Sequence, residues 1–168
     1  MLTAVPHGTS RNGFDLVDET GAAVATFRAS ARREQGEITS REGSWRFRRD
    51  GGRHFTLAGE RGLLAEASKP GLWSGRWEVI VGSETYELSK RSWRSRAFEL
   101  SGRSRLGEVR PQREFSRRAE VDLPPELPLP VQAFVVAVVR TLWRREQAAP
   151  TGTAATDGTA PGADDLPE

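Results

Sequence analysis

The segment Val131-Gln132-Ala133-Phe134-Val135-Val136-Ala137-Val138-Val139 constrains the fold of this chain more than any other stretch. It is longer than an ordinary strand of ~5–6 residues and carries no turn signal. Pro130 suits a first helical turn, and Arg144 and Arg145 suit the negative end of a helix dipole, so a helix over about 130–146 is expected. Apolar side chains fall on almost every side of that helix. A surface helix would keep one polar face, so this one needs enclosure all round. A bilayer span needs ~20 mostly apolar residues, and this run meets Arg140 after about half that length. The remaining alternatives to burial are an interfacial membrane contact and a seam between molecules.

The preceding hundred residues have the pattern of consecutive antiparallel strands that could supply the enclosure. From Gly13 to about Leu123, short alternating segments are separated by Gly, Asp, Ser or Lys-Pro turn signals. Trp45 and Phe47 alternate with Arg46 and Arg48. Asp50-Gly51-Gly52 then offers the positive φ of a tight hairpin, and Phe55 and Leu57 continue the buried face. Trp77, Val79 and Val81, the Gly82-Ser83 turn, and Tyr86 and Leu88 repeat the design. An aromatic-x-Leu signature recurs at Phe14-Asp15-Leu16, Phe55-Thr56-Leu57, Tyr86-Glu87-Leu88 and Phe98-Glu99-Leu100. Three of the four run into a polar turn and another short strand, which is the mark of a degenerate hairpin repeat. Trp93 falls out of phase with Phe98 and Leu100, so a bulge or turn is expected near Ser95–Ala97. About ten to twelve strands are expected, and a sheet of that size curls or closes to avoid long bare edges. The expected fold is mainly β: a closed antiparallel β-barrel around a buried hydrophobic C-terminal helix. Pro124-Pro125-Glu126-Leu127-Pro128-Leu129-Pro130 cannot join a central ladder and reads as the link between them.

At 168 residues the chain has room for one ordinary domain, expected over residues 1–147. Residues 148–168 lack apolar periodicity and read as a disordered tail. The absence of cysteine excludes disulfides, a thiolate nucleophile and thiolate-bound zinc. Met1–Ser10 lacks the basic and apolar regions of a secretory signal, so a cytoplasmic location is expected, with peripheral membrane attachment as an option. The net charge of +2 conceals an asymmetry. The tail holds Asp157, Asp164, Asp165 and Glu168 and no base, which leaves 25 bases against 19 acids, or +6, in the body. All the bases are arginine except Lys69 and Lys90, a bias that high-GC coding also produces.

No motif for a cofactor, a metal or catalysis is visible. His7 and His54 are not at ligand spacing and have no acidic cluster, and neither a phosphate loop nor a nucleophile elbow occurs. A non-enzymatic binding domain is expected, with no cofactor. The strongest positive feature is the Arg-rich segment from Lys90 to Arg118. Together with the first hairpin it supplies a candidate anion- or phospholipid-binding set: Arg46, Arg48, Arg91, Arg94, Arg96, Arg103 and Arg105. The same residues also suit an ordinary solvated sheet surface. Trp93 is a candidate for stacking on a ligand or entering an interface. The expected partners are anionic lipid headgroups or an unknown protein, with nucleic acid disfavoured and no transmembrane span.

Phe55-Thr56-Leu57, Gly62-Leu63-Leu64 and Arg76-Trp77-Glu78-Val79-Ile80-Val81-Gly82 are similar to the central stretch of LURP-one-related proteins. In that family a turn glycine and paired aliphatics precede a Trp-Glu-Val-x-x-Gly strand. The late hydrophobic helix also resembles the family's. The resemblance spans roughly Phe14 to Arg145 and implies the tubby-like architecture shared with tubby C-terminal domains and phospholipid scramblases, a twelve-stranded barrel threaded by a hydrophobic helix. Tubby domains bind phosphoinositides through basic surface residues, and scramblases are calcium-regulated membrane proteins. Neither an acidic calcium loop nor a membrane extension follows Leu142–Gln147 here, which departs from the scramblase pattern. The expected function is a non-enzymatic binding or scaffold domain, with docking to anionic phospholipids through the Arg-rich surface as one form of it, a protein-interaction module without lipid binding as the alternative, and an enzyme or small-ligand carrier less favoured; no tubby lipid ligand carries over residue by residue.

Overall fold

A computed structural model describes residues 1–7, 13–30, 35–71, 75–103, 105–113 and 116–148, with the side chains of Arg105 and Leu106 excluded. The expected tail therefore lies outside the described residues, apart from Ala148. Twelve strands follow in chain order: β1 (Leu2–Pro6), β2 (Phe14–Val17), β3 (Ala23–Ala29), β4 (Gly36–Ser40), β5 (Gly43–Asp50), β6 (His54–Gly59), β7 (Gly62–Ser68), β8 (Arg76–Val81), β9 (Glu84–Lys90), β10 (Phe98–Ser101), β11 (Arg105–Pro111) and β12 (Ala119–Asp122). Helix α1 (Leu129–Ala148) ends the described chain. Every strand pairs antiparallel with its neighbours in sequence, and β1 pairs with β12 to close the ring. Closure removes every free edge, which an open sheet of this size would expose.

The closing strand precedes Gly13, where the expected strand pattern begins. Leu2-Thr3-Ala4-Val5-Pro6 fits between β2 and β12, with Ala4 fully buried against Ala119 and Leu16. His7 is tied down as well: its amide donates to Gly13 O at 3.1 Å, and its Nε2 lies 2.8 Å from Asp15 Oδ1.

The Phe-x-Leu signature has a structural counterpart. In β2–β3, β6–β7 and β10–β11 the register slips by one residue immediately after the leucine, between Leu16/Val17, Leu57/Ala58 and Leu100/Ser101. In each hairpin a small residue faces the leucine (Ala25, Ala65, Gly107), and an aliphatic one (Val24, Leu64, Leu106) is the extra residue of the opposing strand. A bulge bends and twists its strand. Three of them spaced four strands apart distribute the curvature that a twelve-stranded ring requires. Gly107 needs its missing Cβ for a second reason, because β12 passes so close that an added methyl would collide with the Asp122 carbonyl. Gly51 and Gly82 have φ of 62° and 60°, as their tight turns demand.

The helix fills the ring. Pro130 through Val139 are all buried, as are Thr141, Leu142 and Trp143. An arc of rings lines the wall around it: Phe14–Phe27 at 5.3 Å, Phe27–Phe47 at 5.3 Å, Phe47–Phe55 at 5.7 Å and Phe55–Trp77 at 5.4 Å between centroids. Phe134 meets this arc at Phe47, 5.9 Å away. The side chains of Gln132 and Thr141, buried on the helix, are satisfied. Gln132 Nε2 donates to Leu127 O at 2.8 Å and Pro124 O at 3.3 Å, and Thr141 Oγ1 donates to Ala137 O at 2.9 Å. Among the described residues no helix is long and apolar enough to cross a membrane.

A candidate anion-binding mouth

The meander sorts the connections between the two ends of the barrel. Loops leaving odd-numbered strands gather at one end, here called the mouth, and loops leaving even-numbered strands gather at the other. The helix enters at the far end through the proline-rich link and delivers its C-terminus to the mouth. There Arg140 Nη1 donates to Arg117 O (3.0 Å), Trp143 Nε1 to Arg96 O (2.7 Å) and Arg145 Nη1 to Gly52 O (2.8 Å).

This sorting separates charge. Among the described residues, the mouth connections carry Arg53, Lys69, Arg91, Arg94, Arg96, Arg113, Arg117 and Arg118 and no acid. The helix end adds Arg144, Arg145 and Glu146. The opposite connections carry Asp18, Glu19, Glu42, Glu60 and Glu126 against Arg41, Arg61 and Arg103. A potential gradient along the barrel axis follows, positive at the mouth.

Within the mouth, guanidinium groups crowd together over the aromatic arc. Arg140 lies over Phe14 at 5.3 Å, Arg145 over Phe55 at 5.5 Å and Arg96 over Trp143 at 5.4 Å. Arg49 joins them from the wall, since the inward phase Trp45-Phe47 of β5 continues to it. Burial, and then the charges of Arg144 and Arg117, push Arg140 down to about 10. Burial lowers Arg49 as well, with further contributions from Arg145 and Arg144, and it lowers Arg145 with a contribution from Arg144. These groups keep their charge at neutral pH, so the shifts measure the cost of holding like charges together away from water. An incoming anion relieves that cost. The buried Nε and Nη2 of Arg145 have no hydrogen-bond partner among the described residues.

Beside the helix end lies a cleft of about 860 Å³, lined by Arg53, Lys69, Arg76, Lys90, Trp93 and Arg145, with Trp77, Phe98 and Leu142 as apolar lining. Two of its bases are paired, Lys90 with Glu146 at 2.6 Å and Arg76 with Glu87 at 3.4 Å. Trp93 is 81% exposed on the loop 91–97 between β9 and β10, with the Arg94 guanidinium 4.4 Å from its ring centroid. The loop closes through Arg91 N to Ala97 O (3.1 Å) and Ser95 N to Ser92 O (3.1 Å), which is the turn expected near Ser95–Ala97.

The seven arginines singled out from the sequence are thus divided. Arg91, Arg94 and Arg96 stand at the mouth. Arg91 also holds Glu99 at 3.7 Å and Glu108 at 4.0 Å on the outer wall. Arg46 and Arg48 lie exposed on β5, five strands from β10 around the ring, in a depression shared with Glu37, Asp50 and Glu60. Arg103 sits in a turn at the far end, and Arg105 begins β11 there, its side chain outside the described residues. Arg49, Arg140 and Arg145, missing from that set, are the mouth's inner residues. The inward phase of β5 and the position of the helix C-terminus are the signals that pick them out.

His7 pairs with Asp15, and His54 Nε2 lies 3.2 Å from Glu66, on separate parts of the wall. Among the described residues no group of three or more His, Asp and Glu could hold a metal ion. No known protein family, curated protein or solved structure matches the chain.

Proposed function

We propose that the protein is a non-enzymatic, tubby-like binding domain that docks mouth-first on anionic phospholipid surfaces, as a peripheral protein on the cytoplasmic side. One observation carries the reading: mouth connections whose charged residues, among the described residues, are all basic surround an 81% exposed tryptophan. Basic residues near an anionic leaflet contribute ~1 kcal/mol each, and tryptophan partitions to the headgroup level. A loop that presents Trp93 and Arg94 together combines both attractions. The filled interior favours a surface ligand over an enclosed one. The proposed kinship rests on the quoted motifs and on the barrel-plus-helix plan, and the docking surface rests on the charges themselves.

Cosedimentation with vesicles of phosphatidylcholine alone or with anionic lipid tests the reading. Binding is expected only to the anionic vesicles, with loss between ~50 and ~500 mM NaCl as screening shortens the reach of the charges. Trp93→Ala should weaken it severalfold without changing the salt dependence. Absence of binding at low salt ends the lipid reading. Salt-insensitive capture of a protein partner that depends on Trp93 would then identify an interaction module.

A further inference from the structure

We infer that the cleft at the mouth is an intramolecular docking site for the chain's own acidic C-terminal segment, centred on Asp164-Asp165-Leu166. The helix delivers Ala148 to the mouth, so residues 149–168 begin where the basic cluster lies. That segment contains Asp157, Asp164, Asp165 and Glu168 and no base. The cleft beside the helix end offers the complement. Arg53, Lys69 and Arg145 face it without an acidic partner among the described residues. Carboxylates of Asp164 and Asp165 would pair with these three bases through charge-assisted hydrogen bonds. Leu166 would lie against Trp77, Phe98 and Leu142, the apolar lining.

Reach is not limiting. Leu166 lies 18 residues beyond Ala148, which allows a span of up to ~60 Å. Tethering raises the local concentration of the segment to the order of 1 mM. A contact with an intrinsic Kd of about 0.1 mM would then occupy the cleft about 90% of the time and weaken any competing anion about tenfold. As regulation of membrane docking, the inference rests on the function proposed above; the contact itself does not.

The test compares the full chain with the full-length variant Asp157→Asn/Asp164→Asn/Asp165→Asn/Glu168→Gln, which leaves every core residue in place. The first readout, without vesicles, is NMR of the Arg53 and Arg145 Nε–Hε groups and the Trp93 indole. The variant should shift these resonances to the positions that the wild type reaches at ~0.5 M NaCl, where the contact is screened. The second is affinity for anionic vesicles at low salt, expected to rise ~3- to 10-fold in the variant. Identical resonances in the two proteins overturn the contact, and the membrane reading survives if both proteins bind vesicles equally. Shifted resonances with no vesicle binding by either protein uphold the contact and remove the membrane reading instead.

Discussion

Replacing Phe134 by alanine probes the packing on which the whole fold depends. The side chain is fully buried, lies on the helix inside the ring and meets Phe47 with centroids 5.9 Å apart. A buried Phe→Ala change costs about 3–5 kcal/mol, divided between lost transfer energy and the cavity left behind. The upper half of that range is expected here. Each strand is hydrogen-bonded on both sides, so the ring cannot contract onto the vacated volume as a helix bundle can. Against a typical total stability of ~5–15 kcal/mol this is a large fraction, and the melting temperature should fall by roughly 10–20 °C. Urea unfolding followed by circular dichroism should show a lower midpoint at an unchanged slope. Leu63→Ala, at a 60% exposed position, should stay within about 0.5 kcal/mol of wild type. A loss below about 1 kcal/mol for Phe134→Ala would mean that the helix does not fill the barrel.

Gly107→Ala should destabilise the protein by at least ~2 kcal/mol, because the new methyl meets the Asp122 carbonyl and pushes β12 away at the point where the chain turns toward the helix; thermal denaturation measures it. Asp15 is raised by burial, but hydrogen bonds from His7 and Thr26 and the charges of His7 and Arg28 outweigh this and hold it below its ordinary 3.8. Its contribution to stability is therefore present above pH 3.8 and lost as pH falls through the lower folded value. Asp15→Asn should flatten that part of the acid limb in urea titrations from pH 5 to 2. Sulfate should raise the melting temperature more than sodium chloride at equal ionic strength, because an anion bound at the mouth relieves the repulsion among Arg140, Arg144, Arg145 and Arg49. Equal effects of the two salts would remove that site.

The enclosed helix and most strands were legible because their signals are periodic and local. Nine consecutive residues with no polar face demand a shell, and Trp45-Phe47, Phe55-Leu57 and Trp77-Val79 declare which side of the sheet faces it. Trp93, out of phase with Phe98, correctly marked a loop. The strand β1 was less legible, since its buried face consists of little more than Ala4 and it ends on Pro6; only pairing with the distant β12 makes it a strand. The binding surface was harder still. Density along the chain grouped Arg91 and Arg94 with Arg103 and Arg105, yet in a meander alternate connections go to opposite ends. Charge at this site follows the parity of the hairpins rather than proximity in sequence. Arg49, Arg140 and Arg145 come together only when the helix is threaded through the ring.

Charge reversal at matched positions gives the most direct test of a polarised barrel that docks by one end. Arg94→Glu/Arg118→Glu alters two exposed mouth positions, and Arg46→Glu/Arg48→Glu changes the same net charge on the exposed wall. With surface plasmon resonance on anionic bilayers at ~100 mM salt, the mouth pair should lose at least tenfold in affinity, since each reversal removes one attraction of ~1 kcal/mol and adds a repulsion, while the wall pair should change by less than about threefold. Equal losses from both pairs would show that net charge alone governs binding, and the mouth would have no special role.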